Sequence, residues 1–137
     1  MKRAHRGRAT AVLVPMAGLA LFAARATAHH SLASYDDSRT VEIEGTLKQT
    51  KIANPHTWFW VVVPAAVDGA GAGTQWAVET AGSAFILRSI GGTLNEQFVP
   101  GQKVRVSLHP ARSGGHSGLL VQMRFADGRV LDGVPVK

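Results

Sequence analysis

Apolar and polar residues alternate in separate stretches of this chain, and the alternation sets out a series of short strands. Val41, Ile43, Gly45 and Leu47 fall between Glu42, Glu44, Thr46 and Lys48, the two-residue period of a half-buried strand, which predicts a first strand over about 41–52. Asn54-Pro55 then interrupts it, because proline lacks an amide donor and restricts the residue before it. Thr57 to Val63 reads as a second strand built of aromatic and β-branched residues, apolar on both faces. Trp58 and Trp60 share one face, and Phe59, Val61 and Val63 share the other. One set belongs to the core. The other either packs beneath the helix and the amino-terminal arm or forms an exposed platform.

Residues 64–73, with Asp68-Gly69 and two further glycines, read as a flexible hairpin connection. Gln75 to Thr80 resumes alternation, with Trp76 and Val78 inward. Ser83 is placed to cap a short helix carrying Phe85, Ile86, Leu87 and Ile90, which Gly91-Gly92 would end. A tight turn at Pro100-Gly101 introduces Val104, Val106 and Leu108, and a glycine-containing loop from Pro110 to Gly118 precedes Leu119, Val121, Met123 and Phe125. Asp127-Gly128 then turns the chain into Arg129-Val130-Leu131.

Three strands, one short helix and two or three further strands form the element order of an OB-like barrel. The expected fold is therefore mainly β, a small OB-like β-barrel or an open sandwich, with the short helix between strands 3 and 4. Gly45 inside the first strand suits a bend where that strand serves both sides of a barrel.

Upstream of the strands, charge and hydropathy follow a different pattern. Met1 to Arg8 is basic, Ala9 to Ala24 is almost wholly apolar, and Ala26 and Ala28 are small residues at the minus-three and minus-one positions, the organisation of a Sec-type secretory signal cut after Ala28. The apolar run of 16 residues, interrupted by Pro15, falls short of the roughly 20 needed to span a bilayer. Stable membrane insertion is not expected after cleavage. The expected organisation is a signal at 1–28, an N-terminal arm at 29–40 and a barrel domain at 41–137, located in the periplasm or secreted.

Export changes the meaning of the charge. The whole chain is +6, but five of its 15 Lys and Arg residues and none of its nine Asp and Glu precede residue 29, leaving ten against nine. A near-neutral exported domain argues against nucleic-acid recognition. With no cysteine, neither disulfides nor thiolate chemistry is available.

The remaining candidate chemistry lies in the histidines. Cleavage after Ala28 would give His29 a free α-amine beside its imidazole, two nitrogen donors suited to Cu(II), Ni(II) or Zn(II), with copper favoured by intrinsic affinity. His30, His56 and His116 are candidates for further ligands, and His109, at an outward strand end, is a weaker one. Cleavage after Ala26 would instead place His29 third, a position that chelates Cu(II) through the amine and two amides. A leading His-His is more simply read as a solvated, frayed terminus, and short exposed peptides of this kind bind copper adventitiously. No catalytic residue is assigned: the serines lie in no nucleophile elbow, and neither G-x-G-x-x-G after a strand nor H-E-x-x-H occurs.

Taken together, His29-His30-Ser31, Val41 to Leu47, Asn54-Pro55-His56-Thr57-Trp58, Trp76-Ala77-Val78-Glu79 and Val99 to Val104 resemble a family of small exported bacterial proteins, the domain-of-unknown-function family 6152, across about 30–131. Gln102 stands where that family carries an acidic turn residue. The resemblance implies an envelope location and a small β-rich domain, and it transfers neither catalyst nor cofactor. The expected function is that of an exported periplasmic binding protein. Its sharpest form holds a transition metal such as copper through His29, His30 and His56 or His116. The alternative is a non-catalytic structural or interaction module that meets an envelope protein or peptide through Trp58 and Trp60. The sequence does not set the oligomeric state.

Overall fold

A computed structural model of the chain describes residues 32–90 and 94–134. Among the described residues the chain runs through strands β1 (Val41–Lys51), β2 (His56–Val62) and β3 (Gln75–Ala81), two short helices, α1 (Ser83–Ile90) and α2 (Leu94–Gln97), and strands β4 (Lys103–Pro110), β5 (Ser117–Phe125) and β6 (Val130–Asp132). The sheet order is β3-β2-β1-β4-β5-β6, and β3 also pairs with β5 in parallel. This extra pairing closes five strands into an OB-like barrel and leaves β6 as an appended edge strand, so the closed barrel and not the open sandwich is the fold. The expected helix between strands 3 and 4 is present as α1, followed by the single turn of α2.

β1 serves both sides of the barrel. Its first half pairs with β4, from Val41 opposite Leu108 to Thr46 opposite Lys103, and its second half pairs with β2, from Thr46 opposite Val62 to Lys51 opposite Trp58. Gly45 stands at the changeover, where an added Cβ would lie 2.3 Å from the Val62 carbonyl oxygen. Only glycine lets the two backbones approach this closely. A register shift between Leu47 and Gln49 bends the strand further.

The barrel interior takes one residue in two from each strand except β5. There a register shift leaves Val121 without a partner on β4 and changes the phase, so that Leu120, and not the expected Leu119 and Val121, points inward ahead of Met123. Ile43, Leu47, Phe59, Val61, Trp76, Val78, Val106, Leu108, Leu120 and Met123 are all essentially inaccessible to solvent, each such burial being worth roughly 1.5–3 kcal/mol. Phe98 packs between Phe59 and Phe125, with ring centroids 5.0 and 5.9 Å away, and Ile86 of α1 joins the same cluster. Phe59, Val61 and Val63 are therefore the core set, and Trp58 and Trp60 lie half-buried on the outer face. The expected secretory signal at 1–28, His29, His30 and the glycines expected to end α1 lie outside the described residues.

Candidate functional site

Register assembles a row of side chains across the outer face. Trp58 stands opposite Lys51 on one side and Glu79 on the other, Glu79 is level with Leu119 across the parallel pairing, and Leu119 faces His109. Outward positions on a small barrel are ordinarily solvated, yet Glu79 is only 6 % exposed, Leu119 3 % and His109 9 %. The cover is the N-terminal arm. Tyr35 bridges to Ala111, the Asp36 amide donates to the Pro110 carbonyl at 2.8 Å, and the Arg112 amide donates to the Ser34 carbonyl at 2.8 Å. Arg39 is paired with Asp68, and Arg112 with Asp37, at 2.8 and 3.2 Å. His109 Nδ1 donates to the Arg39 carbonyl at 2.9 Å, so its outward placement is as expected but the arm buries it.

Beneath the arm, Glu79 joins two residues far apart in sequence. The Tyr35 hydroxyl donates to Glu79 Oε2, and His56 Nδ1 lies 2.7 Å from Glu79 Oε1. His56 reaches the carboxylate because it precedes Trp58 by two residues on the same face, which makes it the diagonal neighbour of the residue opposite Trp58. An ionised carboxylate only accepts hydrogen bonds, so both partners donate. Nδ1 of neutral His56 therefore carries its proton, and the lone pair is on Nε2. The His56 side chain is 37 % exposed, against 8 % for that of Glu79, so the buried carboxylate orients an imidazole open to solvent. Burial first, and then the hydrogen bond to Glu79 and its negative charge, push the Tyr35 phenol well above its ordinary range. Tyr35 thus remains a donor at physiological pH.

The turn before β2 fixes His56 from the other side. The Asn54-Pro55 peptide is cis, and Asn54 Oδ1 accepts from the Ser83 amide and hydroxyl at 3.1 and 3.2 Å. Ser83 was expected to cap α1 with its own side chain. Instead the first helical bonds are accepted by the Gly82 carbonyl, Ser83 is the first helical residue, and the acceptor for its amide comes from Asn54 across the structure. A Cβ on Gly82 would lie 2.2 Å from that oxygen, which is why a glycine precedes the helix.

The other candidate ligands are dispersed. His116 is exposed in the loop containing Gly114 and Gly115, both at positive φ, and its ring centroid is 5.5 Å from that of Trp76. Ser117 is level with Ala77 and His56 with Ala81. His116 therefore sits beside the start of β3 and His56 beside its end, roughly 17 Å apart along the strand and on opposite faces. They do not share a site. Among the described residues no group of three or more His, Asp or Glu side chains is placed to hold a metal ion, and no helix is long and apolar enough to cross a membrane.

Tyr35 and Glu79 were not singled out in the sequence. The available signal was β2, apolar on both faces, which implies that something covers the outer face. The alternation of β3 correctly turns Glu79 away from the core, but it carries no information about what lies outside the barrel.

The model of a family of unknown function, DUF6152, matches residues 17–122, and the chain belongs to that family. No curated protein and no solved structure matches the chain at a significant level.

Proposed function

We propose that this DUF6152 protein is an exported periplasmic binding protein that holds a transition metal such as copper at the outer face of its barrel. His56 would be a ligand through Nε2, and the imidazoles of His29 and His30 and the mature α-amine would complete the set. The observation that carries this reading is the 2.7 Å contact between His56 Nδ1 and the buried Glu79 carboxylate. Metal-binding histidines are characteristically held in this way, with the second ring nitrogen given to a carboxylate that fixes the tautomer and raises ligand basicity.

The anchored arm supports the remaining ligands. Tyr35 is tied to Glu79, and His30 precedes it by five residues, a length that reaches at most about 18 Å. That length would allow the terminal nitrogens to reach His56. His116, at the far end of β3, takes no part. Copper is favoured over nickel and zinc by the intrinsic affinity of nitrogen donors. Binding should weaken on acidification, because protons compete for the same nitrogens. The basic, apolar and small-residue pattern of 1–28 supports export.

Intact mass spectrometry of the protein recovered from its native envelope, under conditions that retain metal, tests both parts. One copper on a chain beginning at His29 supports the reading, and loss of that copper in His56→Ala identifies the imidazole. A metal-free chain that also takes up no copper tightly in solution overturns it. A second reading is favoured by Trp58 and Trp60, which lie half-buried on the outer face beside this cluster. On that reading the face meets an envelope protein or peptide and holds no metal. Capture that is lost in Trp60→Ala and indifferent to copper and chelator would select it.

A further inference from the structure

A separate groove of about 260 Å³ opens where β4 begins and β5 ends, lined by Glu44, Lys103, Arg105 and Arg124 over Phe125 and Ala126. Its charges are unevenly matched. Arg105 and Arg124 stand directly opposite one another on neighbouring strands, an arrangement in which like charges a few ångströms apart repel. Glu44, opposite Arg105 on its other side, accepts from that guanidinium at 2.8 and 3.3 Å. Arg124 makes no ion pair among the described residues. Lys103 Nζ donates to the Thr46 hydroxyl at 2.9 Å, a neutral partner. Asp127, at the adjoining depression that shares Lys103 and Phe125, is held by Arg129 at 2.8 Å, and Arg129 lies over the Phe125 ring.

Three cations therefore face one carboxylate in a chain whose charges downstream of residue 28 nearly balance, ten against nine. The excess comes from placement, since the β4–β5 register sets two guanidiniums side by side where either strand could have carried a neutral residue. A tetrahedral oxyanion would relieve the repulsion, because it brings negative charge and several acceptor oxygens to the cations that line the groove. We propose that this groove binds a phosphate-type anion, with Arg124 as the principal partner and Lys103 as the second. The proposal is independent of the metal reading, which uses none of these residues.

The test uses the full mature chain, with inorganic phosphate followed by calorimetry and vesicles of phosphatidylglycerol in phosphatidylcholine followed by co-sedimentation. Arg124→Gln should weaken binding roughly ten-fold, the loss of a charge-assisted hydrogen bond. Lys103→Gln should weaken it less. Arg88→Gln, which removes the same charge from α1 outside the groove, should leave binding unchanged. Arg124→Lys, which keeps the charge, should recover part of the loss and guards against a folding defect in the glutamine variant. Binding of inorganic phosphate alone, with that ranking, identifies a soluble phosphate compound. Vesicle binding with the same ranking identifies a lipid headgroup. Binding of neither probe, or an equal loss in Arg88→Gln, overturns the proposal.

Discussion

His56 Nδ1 lies 2.7 Å from Glu79 Oε1, so a carboxylate under the arm decides which nitrogen of a solvent-facing imidazole is free. The relationship depends on two independent features of the fold: the β2–β3 register sets the two residues on one diagonal, and the arm removes water from the carboxylate. Neither alone would orient the ring, since an exposed carboxylate would share its hydrogen bonds with solvent.

Replacing the carboxylate should release the imidazole. In Glu79→Gln the side chain keeps its shape, and its amide oxygen can still accept from the Tyr35 hydroxyl while its NH2 faces His56 Nδ1, so the fold should persist. Nitrogen NMR of His56 near neutral pH should find the Nδ1–H tautomer dominant in the parent protein and a shift toward Nε2–H in the variant. If copper binds as proposed, its affinity should fall about 10–100-fold with the loss of this supporting bond. A parent protein dominated by the Nε2–H tautomer would refute the assignment.

Tyr35 is the sole tyrosine, so alkaline difference absorbance reports on it alone. Its phenol holds its proton more tightly in the folded protein than in the unfolded chain. The stabilisation is complete below the ordinary tyrosine value near 10 and is lost as pH rises from there through the elevated folded value, because the unfolded chain ionises first. Stability should therefore fall with pH above about 10, and Tyr35→Phe should abolish that component. At neutral pH the same variant should lose about 1.5–3 kcal/mol in urea unfolding, the range for a hydrogen bond to a charged group.

Asn54 joins the cis-proline turn to α1 by serving the Ser83 amide and hydroxyl. Asn54→Ala should cost about 0.5–2 kcal/mol, as the loss of a helix cap does. Hydrogen exchange should localise the loss to the first turn of α1, with β4 and β5 unaffected. Faster exchange throughout the barrel at neutral pH would show that the turn supports more than the helix.

The barrel was legible in the sequence because its determinants are local. Val41 to Leu47, Trp76 to Val78 and Val104 to Leu108 alternate at the strand period and occupy the strands that period implies. The aromatic ambiguity of β2 was also readable as an ambiguity, and the fold resolves it in favour of Phe59. The candidate site was only half legible. His56 was marked by the Asn-Pro-His turn, whereas Glu79 reads as an ordinary outward residue of a half-buried strand. Its burial comes from Tyr35, 44 positions earlier in the chain, and an arm that crosses a barrel leaves no periodic trace in either segment. The cap of α1 was missed for the same reason, since the acceptor is Asn54, 29 residues from Ser83.

Gly45 provides the sharpest test of barrel closure. A methyl group there would meet the Val62 carbonyl oxygen at 2.3 Å and Val61 Cγ1 at 2.9 Å, and the nearer obstacle is backbone, which cannot turn aside as a side chain does. Gly45→Ala must therefore push β1 away from β2 where β1 passes from one side of the barrel to the other. The expected loss is about 1–3 kcal/mol, the usual cost of overpacking, with the Trp76 environment disturbed because Val61, opposite it in the register, moves. Gly71 in the β2–β3 connection supplies the contrast, since a Cβ there meets nothing within 4 Å. Gly71→Ala should be neutral or stabilising by up to about 1 kcal/mol through the unfolded chain. Equal effects of the two substitutions on the urea midpoint would refute the close β1–β2 approach on which the bend depends.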